Sequence, residues 1–209
     1  VEPAPTPGGP GAPDATGVDT TPAEAPATAT QDTSGPPAER SHTDVILAID
    51  IGASKFAAGL LTMRGQLLDR SRTETERDVG PQSHFANLVG IVQEQLDRAE
   101  RHHRVRVRAI GIASAGPIDR NCETVSPIGL ESWRRFPLRQ HLVDLTGLPV
   151  YGDLDAKALA LAEGWLGAAK GLQSFGAMTV STGIGGGFVI DGKLLDGASG
   201  NAGHVGHII

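Results

Sequence analysis

With 209 residues the chain is long enough for one ordinary domain or two small ones, and its formal charge is −6 at pH 7. Its 18 Lys and Arg against 24 Asp and Glu leave no basic surplus of the kind that grips nucleic acid or an anionic membrane. A lone cysteine, Cys122, excludes a disulfide framework within the chain and leads us to expect a reducing, cytoplasmic setting.

Residues 1–43 hold nine of the 14 prolines and only Val1 and Val18 as large aliphatics. Such a stretch buries too little apolar surface to offset its chain entropy, so the composition predicts a disordered Pro/Ala/Thr-rich tail. The tail takes −5 of the charge, which leaves the remainder close to neutral. It has neither the basic start nor the apolar stretch of a signal peptide. No apolar run approaches membrane-spanning length.

After the tail, the continuous apolar run Val45–Ile51 predicts a buried strand. Phe56–Thr62 and Leu67–Thr73 read as a hairpin about Arg64-Gly65. Phe85, Leu88, Val89, Val92 and Leu96 recur at helical spacing and predict a helix over 82–103. Val107–Ala113 reads as a second buried strand. Pro137–Thr146 reads as a short helix with Gly147 just past its end. Val150–Leu154 follows as a strand, Ala156–Ala169 as an Ala- and Leu-rich helix with Trp165 in the core, and Ala177–Ser181 as a strand before a glycine turn. A last hairpin runs through Phe188–Ile190, turns at Asp191-Gly192 and continues to Leu195. The order is α/β with a mixed sheet that begins again near residue 175. Ligands in open α/β sheets sit beyond the carboxyl ends of strands, and the polar motifs of this chain follow strands.

Three motifs carry chemistry. In Asp50-Ile-Gly-Ala-Ser-Lys55, Gly52 permits a tight turn and Asp50 can hold magnesium. Ser54 and Lys55 offer a hydroxyl and a cation to phosphate oxygens. An ordinary hairpin turn is an equal alternative. Thr182-Gly-Ile-Gly-Gly-Gly187 weakens a strand unless something approaches its backbone closely, and its N–H groups suit an anion. Neither a Walker loop nor a dinucleotide fingerprint fits it. Asp155, where a strand meets a helix, suits a helix cap and equally a base that takes a proton from a hydroxyl. Trp133 suits the core, or a stack on a sugar ring. His204 and His207 stand three apart but lack the partners of a zinc site.

These residues resemble the ROK family of bacterial sugar kinases and sugar-responsive repressors, in the hexokinase–actin–Hsp70 superfamily. The markers run from Val45 to Ile209: Asp50–Lys55, Gly111–Asp119, Pro127–Leu138, Asp155 with Glu163–Ala169, Ser181–Gly187, and Gly200–His207. The resemblance implies a two-lobed actin-like ATPase (ribonuclease H-like) fold. Its N-terminal lobe would span 44–170, and 171–209 would begin a truncated C-terminal lobe. It implies an ATP- and Mg2+-dependent, glucokinase-like transfer of the gamma-phosphoryl group to a hexose or amino sugar.

In the roles implied, Asp155 is the catalytic base and Asp50 the magnesium ligand. Gly52, Ser54 and Lys55 form one phosphate loop, and Thr182, Gly183, Gly185 and Gly186 the other. Gly116, Gly129, Leu154, Asp155, His204 and His207 line the sugar. His207 also falls on a structural zinc ligand whose partners would lie past Ile209. Leu154, Gly129 and His204 stand where the family usually has Asn, Asn and Glu, so an altered sugar pocket is expected. The partner is then a small-molecule sugar, without nucleic acid or membrane, and a homodimer is left open. A catalytically weak or inactive sugar-binding regulator is the alternative, though the tail offers no DNA-binding helix. The chain stops inside an apolar His-Ile-Ile run, which leads us to expect the N-terminal portion of a longer protein; an inactive fragment is the third reading.

Overall fold

Apolar residues at every second position of Thr43–Ile51 (β1) put Val45, Leu47, Ile49 and Ile51 on one buried face of a central strand. The computed structural model describes residues 43–76, 78–181 and 183–207, with His207 described by its backbone alone. The readings placed on residues 1–42, on Thr182 and on the His207 side chain lie outside the described residues.

β2 (Lys55–Thr62) and β3 (Leu67–Glu74) form the hairpin, and α1 (Pro81–Arg98), β4 (Val105–Ser114), α2 (Leu138–Thr146), β5 (Val150–Leu154) and α3 (Asp155–Leu166) follow. The five strands make one sheet in the order β3-β2-β1-β4-β5. β1, β4 and β5 run parallel, so their carboxyl ends share one edge. Asp50 pairs with Ala113, and Ala113 with Asp153, in a single row along that edge. β6 (Phe175–Val180), β7 (Ile184–Ile190) and β8 (Lys193–Leu194) form a second, antiparallel sheet against which α3 packs.

α1 covers the first sheet with Leu88, Ile91 and Val92, and α2 with Leu138 and Leu142. Each such side chain stabilises the fold by about 1.5–3 kcal/mol when fully buried. Trp133 is fully buried, with ring centroids 4.4 Å from Phe136 and 5.3 Å from Phe56, and its Nε1 donates to the Pro81 carbonyl at 3.1 Å. It is core and has no face for a sugar. At the end of α2, Gly147 takes φ 67° and its N–H donates to the Val143 carbonyl at 2.8 Å.

Three expectations are corrected. The helix predicted to His103 ends as a regular α-helix at Arg98 and closes with one π turn, Ala99–His103. Its buried stripe also takes in His84 and Gln95: His84 is bonded to Ser132 Oγ and the Glu76 carbonyl, each at 2.8 Å, and Gln95 Nε2 donates to Ser71 Oγ at 2.9 Å, while Gln95 Oε1 is buried without a partner among the described residues. Trp165 is 49 % exposed, since α3 turns its small residues Ala156 and Ala160 toward β7 and leaves Leu161, Trp165 and Leu166 outside. The glycine segment is no simple turn: Gly185, Gly186 and Gly187 lie inside β7, paired with Thr179, Met178 and Ala177.

Candidate active site

The shared carboxyl edge of β1, β4 and β5 collects Asp50, Gly116, Leu154 and Asp155. Asp50 ends the apolar run of β1 and reaches solvent inside a concavity of about 440 Å3 that Lys55, Arg70 and Arg72 also line. Burial, and next the negative charge of Asp155, push the Asp50 carboxyl above its ordinary range, while Lys55 pulls it down. Two carboxylates and one ammonium therefore share a single field: Asp50 and Lys55 flank the first loop, and Asp155 comes from a distant part of the sequence.

The loop after β1 is held from outside. The Thr75 N–H donates to the Ser54 carbonyl at 2.9 Å, and its hydroxyl to the Ala53 carbonyl at 2.8 Å. Gly52 closes the turn, its N–H donating to the Lys55 carbonyl at 3.1 Å. With both carbonyls drawn toward Thr75, the Ala53 and Ser54 amides donate to no protein group among the described residues. That is the chemistry of an anion cradle.

The second loop is narrower than the sequence suggests. Gly183 has open space around its α-carbon, whereas the Gly186 N–H donates to the Gly203 carbonyl at 2.6 Å. A Cβ on Gly187 would stand 2.5 Å from the Ala156 carbonyl oxygen and 2.7 Å from the Ala160 Cβ. The approach that demands glycine at 187 is that of α3 itself. Gly183, just before β7, has room beside it, while the Gly186 amide is already spent on the protein.

Asp155 is the first residue of α3, not its cap; Leu154 holds the cap position without a side-chain bond. The exposed Asp155 carboxylate accepts the Ala156 N–H at 2.7 Å through Oδ1. A carboxylate at a helix start is favoured by the helix dipole. Beside it, Leu154 is 3 % exposed, so the side chain next to Asp155 is apolar and nearly closed off. A Cβ on Gly116 would stand 2.6 Å from His204 Nε2 and 2.7 Å from Leu154 Cδ2. The missing side chain is what lets His204 and Leu154 meet over the end of β4. Gly129 comes instead to the first loop, where a Cβ would overlap the Ala53 methyl. His207 ends a short 3-10 turn, Val205–His207.

Lys157, Arg120 and Asn201 were not candidates from sequence, yet they fasten the loop that carries His204. Lys157 is fully buried with its Nζ on Asp153 and Asp196. Asn201 accepts the Ile118 N–H at 2.9 Å and donates to the Ile118 carbonyl at 2.8 Å. A Lys on an Ala-rich helix carries no sequence signal that separates a buried anchor from a solvated side chain. Burial pushes the Cys122 thiol up to about 12, with help from Asp153, so it is no nucleophile at neutral pH.

Among the described residues no three His, Cys, Asp or Glu side chains could together hold a metal. No helix there is long and apolar enough to cross a membrane.

The model of the ROK family matches residues 46–209. The glucokinase of Halalkalibacterium halodurans is 32 % identical over 164 residues, 78 % of this chain and 49 % of that protein. The N-acetylmannosamine kinase of Escherichia fergusonii is 38 % identical over 164 residues, 78 % of this chain and 53 % of that protein. A ROK glucokinase from Streptomyces griseus, solved with glucose and AMPPNP, superposes with a TM-score of 0.70 at 32 % identity, over 78 % of this chain and 50 % of that one. The chain spans about half the length of the relatives it matches. The fold is that of the actin-like ATPases, of which the chain covers part.

Proposed function

This chain belongs to the ROK family, and on that premise we propose that it is the base-bearing part of an ATP-dependent sugar kinase with an altered sugar pocket. The observation that carries the reading is the shared field of Asp50, Asp155 and Lys55 at the carboxyl edge of the sheet. Phosphoryl transfer needs charge and position more than covalent chemistry. Asp155 takes the proton of the acceptor hydroxyl. Lys55 and the amides of Ala53 and Ser54 hold phosphate oxygens, and Gly183 leaves room for them on the other side. Thr182 belongs to that second loop by its place in the sequence. We keep residues 44–170 as the first lobe, 171–209 as the start of the second, and the cytoplasm, where ATP is at hand, as the place of action.

Asp50 would be the magnesium ligand, since its carboxylate is made costly by burial and by Asp155 and a divalent cation would relieve both. Such an ion would neutralise charge on the phosphate chain. Zinc finds no donor set among the described residues, and no step depends on it.

The pocket reading rests on Leu154 and His204, which come together over Gly116. Leu154 gives an apolar wall where an amide would bond a hydroxyl, and a sugar hydroxyl left unpaired there costs about 1–3 kcal/mol. A ring with an N-acyl group in place of a hydroxyl suits that wall better, and a relative at 38 % identity is named an N-acetylmannosamine kinase. The test is transfer by the intact protein to glucose, N-acetylmannosamine and N-acetylglucosamine, with Asp155→Asn alongside. We expect an N-acyl sugar to be preferred and the variant to lose about 10²–10⁴ of the rate, the usual yield of a general base. Transfer to none of them with ATP bound favours a sugar-binding regulator; wild-type turnover in Asp155→Asn removes the base from its role.

A further inference from the structure

α3 begins with an arrangement that local energetics oppose. Lys157 sits in the first turn, where the helix dipole disfavours a cation, and it is wholly buried, where an ammonium loses its hydration. It is held there because all three of its protons are used. Nζ donates to Asp153 Oδ1 at 2.7 Å, to Asp196 Oδ1 at 2.5 Å and to the Gly200 carbonyl at 3.0 Å. Asp196 in turn accepts Arg120 Nη1 at 2.5 Å, and Arg120 Nη2 donates to the Gly197 carbonyl at 3.1 Å and the Ala198 carbonyl at 3.0 Å. The cluster has two cations and two carboxylates and is balanced within itself. The hydrogen bond from Lys157 is also the first cause that holds Asp196 below the usual carboxylate range.

The geometry of this cluster points to Lys157 as a positioning residue, which docks the 196–204 loop onto the helix that carries Asp155 and so sets His204 in register with the base. Two of its three contacts, Asp196 and Gly200, belong to the loop, and the third, Asp153, lies on β5 two residues before Asp155. Beyond Gly200 the loop reaches His204, which lies against Gly116 and Leu154. The Nζ of Lys157 makes no hydrogen bond to Asp155 among the described residues. Its effect is to decide where the His204 wall of the space for a sugar stands. In kinetic terms it governs the sugar and leaves the nucleotide alone.

This inference rests on the kinase reading for its kinetic arm only; its structural arm stands without it. The test compares the intact wild-type protein with Lys157→Met, Asp196→Ala and the double variant. Three readings are taken: affinity for glucose and for N-acetylmannosamine, KM for ATP, and amide hydrogen exchange of residues 196–204. We expect each single variant to weaken the better sugar by at least about tenfold, to leave the ATP KM within about twofold, and to speed exchange of the loop by at least about tenfold. The double variant should lose less than the sum of the two singles, because the Lys157–Asp196 contact they share is lost once. Asp196→Ala keeps Lys157 its bonds to Asp153 and Gly200, so it answers the question if Lys157→Met does not fold. If the wild type binds neither sugar, the kinase reading is in trouble while loop exchange still decides the docking. Unchanged exchange in folded variants overturns the proposal. So does equal weakening of sugar and ATP together with a lower Tm, which marks Lys157 as merely structural.

Discussion

Ala53 and Gly129 are two halves of one contact. The methyl of Ala53 occupies the space a side chain at 129 would need. Gly129→Asn alone should therefore displace the loop after β1 and cost about 1–3 kcal/mol, the range for forcing extra atoms into a packed site. Ala53→Gly with Gly129→Asn should recover most of that loss, as a double-mutant cycle on Tm and on ATP KM will show. Additive losses would mean that the two residues do not meet. Asp50 makes a different prediction at the same scale. Its carboxyl is raised in the folded state by burial and by Asp155. A raised carboxyl binds protons more readily folded than unfolded, so it opposes stability increasingly as pH rises above its ordinary value of 3.8 through the raised one. Asp50→Asn should thus melt higher than wild type at pH 7 without magnesium, with the gap closing as pH falls toward 3.8. A gap independent of pH would take Asp50 out of that field.

At the scale of elements, β7 and α3 explain one another. The Ala-rich start of α3 and the glycines of β7 bring helix backbone and strand backbone together, with the Ala156 carbonyl and the Lys157 Cα at the place where a Gly187 side chain would stand. Gly187→Ala should push the second sheet from α3 and lower stability by about 1–3 kcal/mol. Denaturant titration measures this, and Gly183→Ala is the control, since nothing lies near the Gly183 α-carbon. Equal effects at the two positions would refute the packing role. Helical periodicity placed α1 correctly, but the buried face proved to include His84 and Gln95. Polarity scales put such residues outside; hydrogen bonds that only the folded chain supplies bring them in. Trp165 errs the other way. A helix apolar all round does not say which side its neighbours take.

For the molecule as a whole, the large core of the described residues lies under α1 and α2. A chain beginning at Ser41 should melt within a degree or two of the longer one, because the tail brings almost no apolar surface. A larger fall would show that the tail docks on the fold.

Strand order along the chain, the buried central strand and the polar residues at strand ends were legible in the sequence, because period-2 burial and turn chemistry are local properties. Asp50, Asp155 and the glycine segments were legible there too, as polar and glycine-rich stretches that follow strands. Only the tertiary structure decided that Asp50 and Asp155 share a field, that Gly116 makes room for His204 and Leu154, and that Gly187 serves a helix. It alone also revealed Lys157, 39 residues from the Asp196 it binds across the fold. The reason is physical: a side chain's letter states its charge and size, while its neighbours, and hence its burial, its pKa and its use, are set by parts of the chain that meet only on folding.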